Sequence, residues 1–256
     1  MDAGGSASDA GDIESDAGDA GDAAPPLPLP MPDWDAGATL EGPPIGLSYA
    51  EVPGSFKLIE PKPLAQAYAL LASDTGNARL FLQSLDKEET GGISVEYGAA
   101  FIEDEGAVYQ YPNEVGTFRV APSVESSTIF VSDPFDYRLY AWVPKPGNPD
   151  VGYRLQLSSR NAIWTARFSA DFEHIEEGSL IAVVTRTEAE SAPMKLDALT
   201  CLAACSNPLS CTGGLETLAG LLDCNDTKLN ADVDGDGTLD GYRLRIEFAG
   251  ERVTMQ

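Results

Sequence analysis

A chain of 256 residues with 41 acidic against 16 basic side chains carries a formal net charge of −25. That balance excludes nucleic acid and anionic membrane surfaces as partners, because either needs a basic patch. No apolar run approaches the roughly 20 residues that cross a bilayer, so no transmembrane segment is expected; an acidic tract, not a signal peptide, follows Met1.

Residues 2–24 are almost entirely Asp, Ala, Gly and Ser, with D-A-G recurring, and the first basic residue of the chain is Lys57. Such a tract lacks the apolar surface to offset its ordering entropy and is expected to be disordered. The run P-P-L-P-L-P-M-P, Pro25 to Pro32, then predicts a stiff polyproline-like spacer. Residues 1–38 therefore read as a tether and 39–256 as a single β-rich domain. A tether of this composition resembles the stalk of bacterial surface lipoproteins. The resemblance implies an extracytoplasmic protein, whether on the outer membrane surface, in the periplasm or secreted. Membrane contact would come only through a lipidated Cys preceding residue 2 in the native chain. The plainer alternative is a cytoplasmic protein with an acidic tail.

The body begins near Leu40 and reads as β through its first two thirds. Apolar residues alternate at Ile93, Val95, Tyr97, Ala99 and Phe101, and at Tyr137, Leu139, Ala141 and Val143. The same period recurs at Tyr153, Leu155 and Leu157, at Trp164, Ala166 and Phe168, and at Leu180, Ala182 and Val184. Polar residues between them mark half-buried antiparallel strands. Turn signals at Ser73–Asn77, Glu103–Gly106 and Pro144–Pro149 separate the segments. Without alternating strands and long amphipathic helices, a parallel α/β sheet is not expected. Nine to eleven short strands predict a mainly β fold: an antiparallel β-sandwich or a sandwich-like partial barrel, with a small disulfide-linked helical segment before the C-terminal strands.

On the strand from Tyr137, the outward set is Arg138, Tyr140 and Trp142, an aromatic-basic stripe suited to stacking on a glycan or docking another surface protein. A covering loop is the blander reading. The single histidine, His174, is placed in a hairpin loop between Phe168 and Leu180, flanked by Glu173 and Glu176. Any Ser-His or Cys-His scheme must use it, and a solvated loop histidine is the simpler account. No G-x-S-x-G elbow, P-loop, dinucleotide fingerprint or H-E-x-x-H is present.

After Glu190 the pattern turns helical. Met194–Cys205 carries Leu196, Leu199, Leu202 and Ala203 at helix-face spacing with Pro193 suited to its first turn, and a second short helix is expected over Leu215–Asp223. All four cysteines, Cys201, Cys205, Cys211 and Cys224, fall in the Cys-rich segment 191–225. An even count in one compact segment of an exported chain predicts two disulfides. Cys201 and Cys205, one helical turn apart, are too far apart to bond to each other without distortion. Each should reach Cys211 or Cys224; Cys205–Cys211 with Cys201–Cys224 is preferred because the first closes a short turn. The rival, a zinc site, usually shows two C-x2–4-C pairs, whereas the second pair here, Cys211 and Cys224, is separated by twelve residues.

Residues 230–256 supply a loop and terminal strands. Asp232, Asp234, Asp236 and Asp240 stand at positions 1, 3, 5 and 9, with Gly237 at 6 and the Thr238 carbonyl at 7. This is the spacing of a hard-cation loop, and Ca2+ is the expected ion. Position 12 is Arg243 rather than Glu, and Tyr242 to Phe248 alternates like a strand, so the loop feeds a strand and not an EF-hand helix. Asp240 is then the expected bidentate ligand. Asp232 to Asp240 resembles the D-x-D-x-D-G-x-x-D calcium turns of FG-GAP blades and thrombospondin type-3 repeats. The hairpin at Arg167–Val184, the Cys-bearing helices and the D-x-D-G-D-G-x-x-D-G-Y-R-L-x-I-x-F ending together resemble secreted lipoproteins of myxobacteria and related predatory bacteria, a resemblance that implies location and calcium but no activity. The expected function is a calcium-stabilised extracytoplasmic β protein in a structural, adhesive or ligand-binding role. The alternative is a secreted glycan-active hydrolase with structural calcium.

Overall fold

A computed structural model describes residues 46–254, apart from residue 53 and the segments 73–77, 88–91, 103–107, 124–125, 146–147 and 212–213. The expected tether at 1–38, the start of the body at 39 and the turns at 73–77 and 103–106 lie outside the described residues. The first half of the described chain gives β1 (Ser48–Glu51), β2 (Lys57–Glu60), α1 (Lys62–Ala72), β3 (Ala78–Lys87), β4 (Ile93–Ile102), β5 (Val108–Ser123) and β6 (Ser126–Ser132). There follow β7 (Phe135–Lys145), β8 (Asn148–Phe168), β9 (His174–Thr185), α2 (Arg186–Ser191) and β10 (Pro193–Leu196). The chain ends with α3 (Ala198–Ala204), a 3-10 turn (Pro208–Cys211), β11 (Leu215–Thr217), α4 (Leu218–Cys224) and β12 (Gly241–Val253).

The fold is mainly β and antiparallel throughout its pairings. Hydrogen-bonded neighbours run β1-β3-β4-β5-β6-β8-β9-β12, and β12 pairs back onto β1 from Ser48↔Val253 to Glu51↔Gly250. The path therefore closes into an eight-stranded barrel; it is neither a sandwich of two facing sheets nor a partial barrel. Closure removes the exposed edges that an open sheet would leave. β2 continues along the same side of β12 after a short turn, and among the described residues β7 pairs only with β8, from Lys145↔Asn148 to Phe135↔Ala162.

Period-2 alternation places the expected residues inside. Ile93, Val95, Tyr97, Trp164, Ala166, Phe168, Leu180, Ala182 and Val184 are all buried. Tyr49, Phe168, Phe130, Trp164, Phe118, Phe135, Tyr97 and Tyr137 form a chain of ring contacts through the interior, with Phe118 stacked on Phe135 at 4.5 Å. An eight-stranded barrel is just wide enough to be filled by side chains or to hold one small ligand, and among the described residues these rings occupy the interior. The void beside Tyr49, Ser84, Trp164 and Phe168 amounts to ≈ 20 Å³.

β8 is one 21-residue strand where two short ones were expected. Its halves have different partners, β7 first and then β6 and β9. The changeover is a one-residue bulge: Arg160 faces Val183 and Ile163 faces Ile181, with Asn161 at φ 51 between them. Asparagine is among the few side chains that tolerate this left-handed backbone.

Four helices interrupt the β pattern, and two were not expected from the sequence. In α1, K-P-L-A-Q-A-Y-A-L-L-A, Leu64 and Ala67 are buried one turn apart in the main core, and the helix packs on β2, β7, α3 and α4. α2 opens with a capping box, Thr185 Oγ1 accepting from the Glu188 amide while the Glu188 carboxylate accepts from the Thr185 amide. Such a box satisfies two of the amides a helix start leaves unpaired. The helix expected over Met194–Cys205 is a strand followed by a shorter helix, with Asp197 as its N-cap and Pro193 in β10. Its exposed face is also the reverse of the one expected: Leu199 and Leu202 are 80% and 49% exposed, whereas Cys201 and Ala204 are buried.

The reason for that reversal is covalent. Cys201 bonds to Cys211 and Cys205 to Cys224, so the helix must turn its cysteine face inward. This pairing corrects the expected one, Cys205–Cys211 with Cys201–Cys224. The 3-10 turn brings Cys211 back to the start of the cysteine face, leaving Cys205 at the helix end to meet Cys224 at the end of α4. Each Cys of the helix does bond to Cys211 or Cys224, and with all four sulfurs bonded a zinc site on them is ruled out.

Candidate functional site

The aspartate loop sits between the end of α4 and the start of β12. Its base is fixed: Ala231 bridges Gly241, the Asn230 amide donates to the Gly241 carbonyl, and Asn230 Oδ1 accepts from the Arg243 amide at 2.7 Å. Gly241 has no room for a side chain, since a Cβ there would lie 2.4 Å from Val183. The loop is also tied sideways, with Asn161 Nδ2 at the β8 bulge donating to the Val233 carbonyl at 2.9 Å.

Gly235 and Gly237 take φ values of 79° and 88°, which turns their amides inward. Both donate to Asp232, at 2.8 Å each, one to each carboxylate oxygen. The Gly237 hydrogen bond is the main cause that holds the Asp232 carboxyl below its ordinary range. Asp234 accepts from the Asp236 amide and Asp236 from the Thr238 amide. Carboxylate oxygens of Asp232, Asp234 and Asp236 come within 4.8 Å of one another. Asp240 stands apart from that trio, its Oδ1 accepting from the Val233 amide at 2.9 Å. Among the described residues none of the four aspartates forms an ion pair.

Arg138 is exposed on β7, as the stripe requires, and its register partner is Ser158. The side chains of Tyr140 and Trp142 lie outside the described residues. The base of β7 is held by the Tyr97 hydroxyl, which donates to the Asp136 carbonyl and accepts from the Arg138 amide. Beside it lies a depression of ≈ 370 Å³ lined by Gln156, Ser158, Thr187, Ser191 and Pro193. His174 opens β9 instead of sitting in the preceding turn; it is exposed, and its ring makes no hydrogen bond among the described residues.

The outer face of the barrel is charged where β9 and β12 turn outward, at Glu176, Glu177, Arg245 and Glu251. A barrel spanning a bilayer shows an apolar band there instead. No helix among the described residues is long and apolar enough to cross a membrane. The two disulfides are of the kind that persists in an oxidising compartment. Sequence reasoning missed Asn161, whose importance comes from its position at the β8 bulge alone. Comparison with known proteins gives no matching family model, no matching curated protein and no matching solved structure.

Proposed function

We propose that the protein is a calcium-stabilised β-barrel of the extracytoplasmic space, in keeping with its resemblance to bacterial secreted lipoproteins. Its role is structural, adhesive or ligand-binding. The observation that carries this reading is the aspartate trio, whose oxygens lie within 4.8 Å of one another without a basic partner among the described residues. Two oxygens bound to one Ca2+ at about 2.3–2.6 Å can be no more than about 5 Å apart, so the trio fits a single ion. Asp232, Asp234 and Asp236 would hold it, with the Thr238 carbonyl and Asp240 completing the shell after local adjustment. The ion would supply positive charge to an otherwise repelling cluster and fix the entry to β12.

Ligands all drawn from one local turn favour a structural ion over a catalytic one. Calorimetric titration of Ca2+ into the chelator-treated protein tests the reading. One site is expected for the native chain and none for the Asp234→Ala/Asp236→Ala variant. Equal heats from the two proteins would sink it.

A further inference from the structure

A second concavity lies on the outside of the barrel, across β6, β8, β9, β12 and β2, and encloses ≈ 630 Å³. Register explains its shape. Thr165, Ser179, Glu247 and Lys57 form one row across β8, β9, β12 and β2. The two short hydroxyl residues make a floor, and long side chains rise around it: Arg167 and Glu177 on one flank, Arg245 and Glu247 on the other. A one-residue bulge in β9, where Phe248 and Gly250 face Gly178 and Ile175, turns Glu176 and Glu177 outward together. The turn at Gly54 and Ser55 forms a wall, and Ser55 Oγ pins it by bonding both the carbonyl and the amide of Ala249.

Two properties of this hollow define a ligand. Its charges balance, Lys57, Arg167 and Arg245 against Glu176, Glu177 and Glu247, on a chain whose net charge is −25. A polyanion would approach against the field of the whole molecule, and a cation would have to compete with Arg167 and Arg245, which already pair with Glu177 and Glu247. A neutral ligand meets neither obstacle. The second property is unspent hydrogen bonding: Thr165, Ser179, Glu176 and Lys57 have no side-chain hydrogen bond or ion pair among the described residues. The rim pairs, Arg167–Glu177 at 3.2 Å and Arg245–Glu247 at 2.6 Å, add planar groups whose paired donors or acceptors match adjacent hydroxyls. The volume lies within the roughly 300–1,000 Å³ of small-ligand sites.

We infer that this hollow binds a neutral oligosaccharide, its hydroxyls shared between the Thr165–Ser179 floor and the charged rim. The inference rests on the ligand-binding role proposed above but not on calcium. An array of neutral glycans probed with the full chain is the test, followed by calorimetry on the best glycan found. Wild type is expected to bind, Ser179→Trp to lose at least tenfold in affinity by filling the floor, and Lys57→Ala with Arg245→Ala to lose at least fivefold without touching the fold. Circular dichroism guards against misfolding of the Trp variant. Binding that survives Ser179→Trp but is lost in Trp142→Ala would overturn the location while leaving a ligand-binding protein. Binding to no neutral glycan would overturn the inference. So would preferential capture of extended peptides from a random library with the same sensitivity to Ser179→Trp.

Discussion

Removing the Cys205–Cys224 bond by Cys205→Ala/Cys224→Ala tests how the α3–α4 segment is held. The bond spans 19 residues and joins the end of one helix to the end of the next, with both sulfurs buried. Loop-closure entropy for that span is about 3.3 kcal/mol at 25 °C, against about 2.8 kcal/mol for the 10-residue span of Cys201–Cys211. The two loops overlap between Cys205 and Cys211, so either bond already shortens the loop that the other closes. Full reduction should therefore cost clearly less than the sum of about 6 kcal/mol. Urea unfolding of the wild type, each double-alanine variant and the reduced protein measures all three quantities. Losses of about 2–3 kcal/mol per variant are expected, with a loss on full reduction that exceeds the sum of the two variant losses but stays below about 6 kcal/mol. A loss below about 0.5 kcal/mol for Cys205→Ala/Cys224→Ala, within the range of ordinary surface substitutions, would refute the reasoning. Peptide mapping that recovered Cys201 joined to Cys224 would refute it as well.

If the loop binds Ca2+ with the roughly 0.1 mM dissociation constant of a tight extracellular module, 1 mM ion adds about 1.4 kcal/mol. That is a rise in Tm of about 3–6 °C for a domain of this size, reversed by chelator and absent in Asp234→Asn/Asp236→Asn. Arg186 clamps Asp223 with two hydrogen bonds, of which the Nη2–Oδ2 contact is 2.7 Å, and these hold the Asp223 carboxyl below its ordinary range. Its stabilising share is present above the unfolded carboxyl's pKa of about 3.9 and is lost as pH falls through the lower folded value; because the pair is about half exposed, it amounts to no more than about 1 kcal/mol. The stability difference between wild type and Asp223→Asn should therefore shrink below about pH 4, as read by denaturant midpoints across pH. At the β8 bulge, Asn161→Ala should cost about 1–2 kcal/mol from the left-handed backbone in addition to the lost bond to Val233, whereas Asn161→Gly should lose mainly that bond. Paired thermal melts separate the two, and equal losses would show that the backbone conformation is unimportant.

Strands were legible because burial on one face writes a period of two into the sequence, and β4, Leu180–Val184 of β9 and Trp164–Phe168 of β8 follow it. Barrel closure was not, since it depends on β1 meeting β12 some two hundred positions away, and neither strand carries a mark of its partner. The α1 helix hid behind its strong β surroundings, although Leu64, Ala67 and Tyr68 have helical spacing and Pro63 stands near its start. In α3 the leucine spacing was misleading: Leu199 and Leu202 share a face, but two disulfides drew the cysteine face inward and outweighed the burial of two leucines. The aspartate loop was legible because its chemistry is local. Its tie to Asn161 was not.

The described part of the barrel interior is closely packed with side chains. Among the described residues eight strands enclose aromatic rings, and the void beside Tyr49, Ser84, Trp164 and Phe168 is ≈ 20 Å³. Regular alternation would leave the outer surface an even field of polar side chains. Two irregularities break that evenness. The bulge at Asn161 bends β8 away from the barrel towards β7 and holds the aspartate loop. The bulge in β9 sets Glu176 and Glu177 side by side above a floor of two short hydroxyl residues. A strand with strict alternation would have pointed one of those carboxylates into the core, where an unpaired charge is costly. The extra residue thus makes an acidic pair compatible with a buried Ile175, and it is at such departures from regular pairing that this surface acquires its shape.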